Sequence, residues 1–240
     1  IKTPHGTEGL DGQYKNNRKG GPLQATGWDK ALLGSRMMRI PKNQILQSTD
    51  HRESLSVIQK GFIKRYSITN AGSESIQSIY GPDDIFPLTW VFKTILDQDI
   101  YAGQEIFHYE TITDAVIYSM DKTSLIELAA REPTVYKDIL VVAGQRFRSN
   151  IHNLENMSLQ NIEKRLAHHL YYFARFHGLQ TTKGTKILIP LKQKLLACIL
   201  DASRETISVN LKELRQKGLI ENETFINVPD LKKLEQFSYN

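Results

Sequence analysis

The sequence predicts an α+β fold in three parts: an N-terminal antiparallel β-roll of the jelly-roll kind, one long helix, and a C-terminal winged helix-turn-helix. Three observations predict it. Between Arg36 and Leu128, short apolar runs alternate with turn residues at close, regular spacing, as in an antiparallel sandwich or barrel. Residues 134–157 contain no proline and place Leu140, Ala143, Phe147, Ile151, Leu154 and Met157 at three- and four-residue steps, which is helical periodicity. From Leu191 to Ile220, two short helical patterns are separated by Asp201-Ala202 and closed by Gly218.

Residues 1–28 are rich in Gly, Lys, Asn and Thr and nearly devoid of large apolar groups. Such a composition cannot offset the entropy of ordering, so a disordered tail is expected. The roll is expected over 29–132, with strands through Ile45-Leu46, Leu55-Ser56-Val57-Ile58, Phe62-Ile63, Ile76–Tyr80 and Ala115–Tyr118. Turn signals fall at Pro41-Lys42-Asn43, Gln59-Lys60-Gly61, Asn70-Ala71-Gly72 and Gly81-Pro82-Asp83. Asn70-Ala71-Gly72, between Phe62–Ile68 and Glu74–Tyr80, predicts a hairpin. The strands are expected to stop at Pro133.

The long helix is assigned to 133–157. Its apolar seam (Leu140, Ala143, Phe147, Ile151, Leu154) runs far enough to invite a partner helix, and the same helix of a second chain is the simplest one. Packing on the chain's own sheet is the alternative. A domain over 158–240 follows. It opens with a helix from Leu159 to Phe176, ends that helix with Gly178 in the C-cap position, and continues through a loop at Thr181–Thr185.

The 240 residues are 40% apolar and 24% charged, a globular composition with room for two domains. Cys198 is the single cysteine, which excludes an internal disulfide, a multi-cysteine zinc site and a cysteine-held iron–sulfur cluster within one chain. No run of eighteen apolar residues and no signal-peptide pattern occurs, so a cytoplasmic protein without a membrane partner is expected. The net charge of +5 is uneven: residues 158–240 hold 13 Lys and Arg against 8 Asp and Glu, and the preceding 157 residues hold 18 of each. A polyanion would meet the last third, although a solvated basic surface fits the same charge.

Within 191–220, Lys192 to Leu200 forms the first helix, with Leu195, Leu196 and Ile199 as its core. Ser203 suits the N-cap of the second, Glu205 complements its positive end, and Gly218 closes it. Leu219–Val228 then reads as a two-stranded wing. At 100° per residue, Ile207, Leu211 and Leu214 share one stripe, while Glu205, Val209, Lys212 and Gln216 point the other way with Arg204, Ser208 and Arg215 along a flank. That outward set supplies donors, acceptors and a methyl surface of the kind that reads base edges in a major groove. A solvated helix face would explain the charges, but less well an exposed Val209 among them.

Ser203-Arg204-Glu205-Thr206-Ile207-Ser208, with Leu211, Leu214 and Gly218-Leu219-Ile220, resembles the winged helix-turn-helix of the cyclic-AMP receptor protein / fumarate-nitrate regulator (CRP/FNR) family. Pro41–Leu46, Gly61–Lys64, Gly81–Phe86 and Thr113–Val116 leading to Asp121 resemble that family's cyclic-nucleotide-binding-like roll, in the same order, so the resemblance covers about 36–236. It implies a homodimeric transcription regulator on double-stranded DNA, with RNA polymerase as a partner if it activates. Base contacts would come from Ser203, Arg204, Glu205, Ser208, Val209 and Lys212, and phosphate contacts from Lys192, Gln193, Lys194 and Thr206. Val209 stands where the family carries a second arginine, and Asp201 where it carries the glycine of the turn.

The roll departs from the cyclic-nucleotide members. Where they hold the cyclic phosphate with an arginine, this chain has Glu105-Ile106-Phe107, and a carboxylate repels phosphate. The effector is unknown, and the candidates for its pocket are Phe86, Trp90, Phe107 and Tyr109. No cofactor or metal is expected. His108 as a haem or metal ligand is the lesser alternative, since a lone histidine is usually structural or on the surface, and His168-His169 point apart on a helix. Two rival readings are a protein-interaction module that never meets DNA and a cupin-like metalloenzyme. For the latter the roll offers only His51 and His108, and no enzymatic activity is expected.

Overall fold

The computed structural model describes residues 35–46, 54–70, 72–96, 107–158, 161–222 and 225–239. The expected tail, His51 and Glu105-Ile106 lie outside them. The described residues divide into two compact units, one drawn from 35–158 with 194–203, the other from 161–193 with 204–239.

The first unit is built on eight strands: β1 (Arg36–Ile40), β2 (Ile45–Leu46), β3 (Ser54–Lys60), β4 (Ile63–Ile68), β5 (Glu74–Tyr80), β6 (Ile85–Phe86), β7 (His108–Thr111) and β8 (Ala115–Asp121). They form two four-stranded antiparallel sheets, ordered β1-β8-β3-β6 and β2-β7-β4-β5. Leu46, Ile58, Ile63, Tyr80, Phe86, Ala115 and Ile117, drawn from both sheets, share one core, so the sheets close over each other as a jelly roll. The expected hairpin is present: β4 pairs β5 from Ile63↔Tyr80 to Ile68↔Glu74.

Strand β3 is buried along both faces, because successive side chains alternate. Ile58 points into the roll, while Leu55 and Val57 join a second core formed with helices α1 (Leu88–Leu96), α2 (Lys122–Arg131) and α3 (Thr134–Ser158). Helices α1 and α2 correct the expectation of strands up to Pro133. The roll's last strand ends at Asp121, whose carboxylate accepts from the Ser124 amide at 2.8 Å and starts α2. Leu125, Leu128 and Ala129 then lie one helical turn apart and are buried. In α1, the aromatic run at Trp90–Phe92 looks strand-like, yet Leu88, Val91 and Phe92 fall at three- and four-residue steps.

Helix α3 matches the expected long helix. Its inner face buries Val135, Ile139 and Val142 in the second core. Asp138 is also buried on α3, and its Oδ2 has no hydrogen-bond partner among the described residues; burial holds its carboxyl above the ordinary carboxylate range. Further along, the Arg146 guanidinium pairs with Asp84 at 3.1 Å and stands 4.0 Å from the centre of the Tyr80 ring. Asp84 directly follows the expected turn at 81–83 and accepts the Gly81 amide at 2.7 Å. The other face of α3 exposes Leu140, Phe147, Ile151, Leu154 and Met157, with Ala143 half-buried.

The second unit contains α4 (Ile162–His177), β9 (Gly178–Thr181), β10 (Gly184–Ile187), α6 (Arg204–Gln216), β11 (Glu221–Asn222), β12 (Ile226–Val228) and α7 (Leu231–Tyr239); α5 (Gln193–Leu200) precedes α6 in the chain. Asn161 caps α4 by accepting from the Glu163 amide at 2.8 Å. Two expectations are corrected. Thr181–Thr185 is a hairpin turn rather than a loop, because β9 and β10 pair from Thr181↔Gly184 to Gly178↔Ile187. The wing is four-stranded, ordered β11-β12-β10-β9, rather than two-stranded. Gly178 is the C-cap of α4, as expected; its backbone is extended (φ −98°), and a Cβ there would run into the Ala174 carbonyl oxygen and the Thr185 methyl, so close approach requires the glycine. No helix among the described residues is long and apolar enough to cross a membrane.

Candidate nucleic-acid interface

Helix α6 has the amphipathic division its sequence predicts. Ile207, Leu211 and Leu214 are buried. Arg204, Glu205, Ser208, Val209 and Lys212 are exposed, and Val209 keeps 56% of its surface in water. The helix begins at Arg204, directly after the exposed Ser203, and carries Glu205 in its first turn. Its C-terminus closes as the glycine predicts: Gly218 is left-handed (φ +65°), its amide donates to the Arg215 carbonyl at 2.9 Å, and the Leu219 amide donates to the Leu214 carbonyl at 3.0 Å. Packing against α4 and a bidentate ion pair hold the helix. Lys217 Nζ donates to both carboxylate oxygens of the buried Glu163 at 2.6 and 2.7 Å and lies 4.7 Å from the Phe237 ring centre. Tyr171 ties α4 to α7 by donating to Glu235 at 2.6 Å.

The turn between α5 and α6 is Asp201–Ser203. Asp201 is left-handed (φ +49°), and the Ala202 amide reaches back to the Ala197 carbonyl at 3.1 Å. The residue thus takes the conformation glycine would supply, one that aspartate tolerates better than most side chains. On α5, Leu196 and Leu200 are the buried positions, whereas Leu195 and Ile199, expected in the core, are only half-buried. Lys192 and Lys194 are exposed and Thr206 is half-buried. Gln193, grouped with the lysines on sequence grounds, instead turns its amide toward Arg204 and Ser208, at 3.4 Å from each.

The candidate effector residues do not gather into one place. Phe86 stacks on Tyr109 at 5.1 Å between ring centres, and Tyr80 lies against both. Burial, with Tyr80 next to it, pushes the Tyr109 hydroxyl far above its ordinary pKa. Phe107 lies under the Arg65 guanidinium at 4.5 Å. Trp90 packs on the helix-side core with Phe92. His108 lies against Tyr66 at 5.3 Å between ring centres, and no group of three metal-ligating side chains occurs among the described residues. His168 is buried and His169 half-buried, their rings 6.5 Å apart and edge-on. Sequence reasoning missed Arg65 and Arg146, which adjoin the aromatic cluster; only the fold brings 65, 80, 109 and 146 near one another.

A profile of the Crp-like helix-turn-helix domain matches residues 164–237. The CRP-like cAMP-activated global transcriptional regulator of Mycobacterium tuberculosis is 27% identical over 168 residues, which is 70% of this chain and 71% of that protein. The anaerobic regulatory protein of Haemophilus influenzae is 23% identical over 197 residues, 81% of this chain and 73% of the relative. Among solved structures, a CooA mutant from Carboxydothermus hydrogenoformans superposes with a TM-score of 0.66 at 22% identity, covering 87% of this chain and 90% of the other. FixK2 from Bradyrhizobium japonicum gives 0.66 at 16% identity, covering 85% and 96%. A jelly roll, a long helix and a winged helix-turn-helix in one chain define a DNA-binding transcription regulator. Residues 164–237 belong to the Crp-like helix-turn-helix family, and the chain as a whole is similar to transcription regulators of the CRP and FNR types.

Proposed function

We propose that the chain acts as a cytoplasmic homodimer that reads a pseudo-palindromic operator through α6 and catalyses no reaction. The observation that carries this reading is the exposed face of α6: Arg204, Glu205, Ser208, Val209 and Lys212 stand out while the opposite stripe is buried. Arg204 donates to a guanine, Glu205 accepts from a cytosine amino group, and Val209, having no donor, meets a thymine methyl. Ser203 and Lys212 extend the base contacts, while Lys192, Lys194 and Thr206 bind phosphate and set register. The seam of Leu140, Ala143, Phe147, Ile151 and Leu154 joins the two copies, and RNA polymerase is a further partner where the outcome is activation. Glu105, where the family's cyclic-nucleotide members carry arginine, sets cyclic AMP and cyclic GMP aside as effectors; calorimetry at millimolar nucleotide should register no binding.

The test of DNA reading is selection of binding sites from random-sequence duplex by the full chain, followed by titration at several salt concentrations. A two-fold-symmetric motif should emerge, with affinity falling steeply with salt. Lys192→Ala and Lys194→Ala should each reduce the salt slope by about one while leaving the motif unchanged. A chain that enriches no motif, or whose binding ignores salt, does not act as proposed.

A further inference from the structure

Gln193, the first residue of α5, reaches onto α6. Its Oε1 accepts from Arg204 Nε at 3.4 Å and its Nε2 donates to Ser208 Oγ at 3.4 Å. Chemistry fixes the orientation of that amide. A guanidinium only donates, so the oxygen must face it, and a hydroxyl oxygen can accept from the nitrogen. Arg204 and Ser208 lie four residues apart, one turn along the same flank of α6. Gln193 therefore bridges two candidate base-reading side chains from outside the helix that carries them.

A solvent-exposed arginine samples many rotamers, and ordering one of them on binding costs affinity. Engagement at Nε removes much of that freedom while leaving the two terminal nitrogens to donate. Those two nitrogens are the fork that matches guanine O6 and N7. We infer that Gln193 is a specificity-determining positioning residue, one that aims Arg204 at its base pair and does not serve as a phosphate ligand. This inference rests on the reading of Arg204 as a base contact. It separates Gln193 from the exposed lysines on either side: neutralising a phosphate releases a counterion, and aiming an arginine does not.

The experiment uses the full chain and the duplex that wild type selects from random sequence, with every substitution at the base pair that Arg204→Ala makes indifferent. Gln193→Met keeps the length of the side chain and removes both polar atoms. It should lower discrimination at that pair about five- to tenfold, at the lower end of what one good base contact contributes. Discrimination elsewhere, affinity for non-specific duplex and the salt slope should stay as in wild type. In the Arg204→Ala background, Gln193→Met should add nothing. Gln193→Glu retains an oxygen toward Nε and should keep the preference at that pair, while its charge weakens binding to every duplex. Equal weakening on all sequences by Gln193→Met, with the salt slope lower by about one, would make Gln193 a phosphate ligand and overturn the inference. An unchanged Gln193→Met overturns it as well. If Arg204→Ala flattens a pair that Gln193→Met leaves sharp, the positioning role alone fails. If Arg204→Ala flattens none, the base-contact reading fails and the positioning role falls with it.

Discussion

Helices α3 and α6 are each buried along one side and open along the other, and the open sides are opposite in chemistry. On α3, Leu140, Phe147, Leu154 and Met157 are between 67% and 71% exposed. On α6 the open side is Arg204, Glu205, Ser208 and Lys212, with Val209 as its one large apolar residue. Apolar surface left in water costs about 25 cal/mol per Å², so the α3 seam gains from any apolar cover and is nearly indifferent to salt. A polar, basic face gains from a polyanion and loses that gain as salt rises. One amphipathic design therefore suits two kinds of surface chemistry, and the residues on the open side decide which.

The largest effect that would break this contrast lies on α3. Phe147→Asp combined with Ile151→Asp places two charges in the seam. A dimer held there should lose several kcal/mol, on the order of 4, and sediment as a monomer. The wild-type chain should remain dimeric in high salt, under conditions that abolish DNA binding. A double variant that still sediments as a dimer would move the interface elsewhere.

On α6, Val209 is the residue that departs from its polar neighbours. Sites selected by wild type should prefer A·T at one position in each half, and Val209→Arg should shift that position toward G·C by about 1–3 kcal/mol. Identical motifs from the two proteins would mean that Val209 does not enter the groove.

The inner side of α3 sharpens the comparison, because Asp138 is a polar group on the buried face. Burial raises its folded-state pKa above the ordinary 3.8, so the ionised form is penalised in the fold. That penalty is absent below the ordinary pKa and grows as pH rises through the raised folded value. Asp138→Asn should therefore stabilise the chain at pH 7 by about 1 kcal/mol and leave it unchanged at pH 3, as read by denaturant unfolding. A smaller change is expected at the turn: Asp201→Gly should stabilise by about 0.5 kcal/mol by relieving the left-handed aspartate, with the selected motif unaltered.

Much of this was legible in the chain itself, for reasons that differ by element. The hairpin at Asn70–Gly72 and the faces of α3 and α6 rest on local rules of turn chemistry and periodicity, and these survive in the structure. Helix α1 was not legible, because an aromatic, threonine-containing run suits a strand as well as a helix; packing of Val91, Trp90 and Phe92 on the second core decides it. The β9–β10 hairpin was missed for a related reason: strands of four residues have little alternation to read, and β10 gains its second partner, β12, only in the fold. At the candidate site, the side chains of α6 follow from spacing. The Gln193 bridge does not, since it joins residues 11 and 15 positions apart through side-chain geometry alone.

Arg146 and Phe147 are neighbours in sequence yet serve different masters: one is clamped to Asp84 and Tyr80 in the roll, and the other faces outward in the seam. Adjacent residues on a helix are about 100° apart, so α3 is a shaft with a pin on one side and a bearing surface on the other. Rolling it by about 20° carries the end of a long side chain roughly 2 Å along its arc, enough to open the 3.1 Å ion pair. The torsional setting of the seam is thereby locked to the packing around Tyr80, and neither can be retuned while the other stands still.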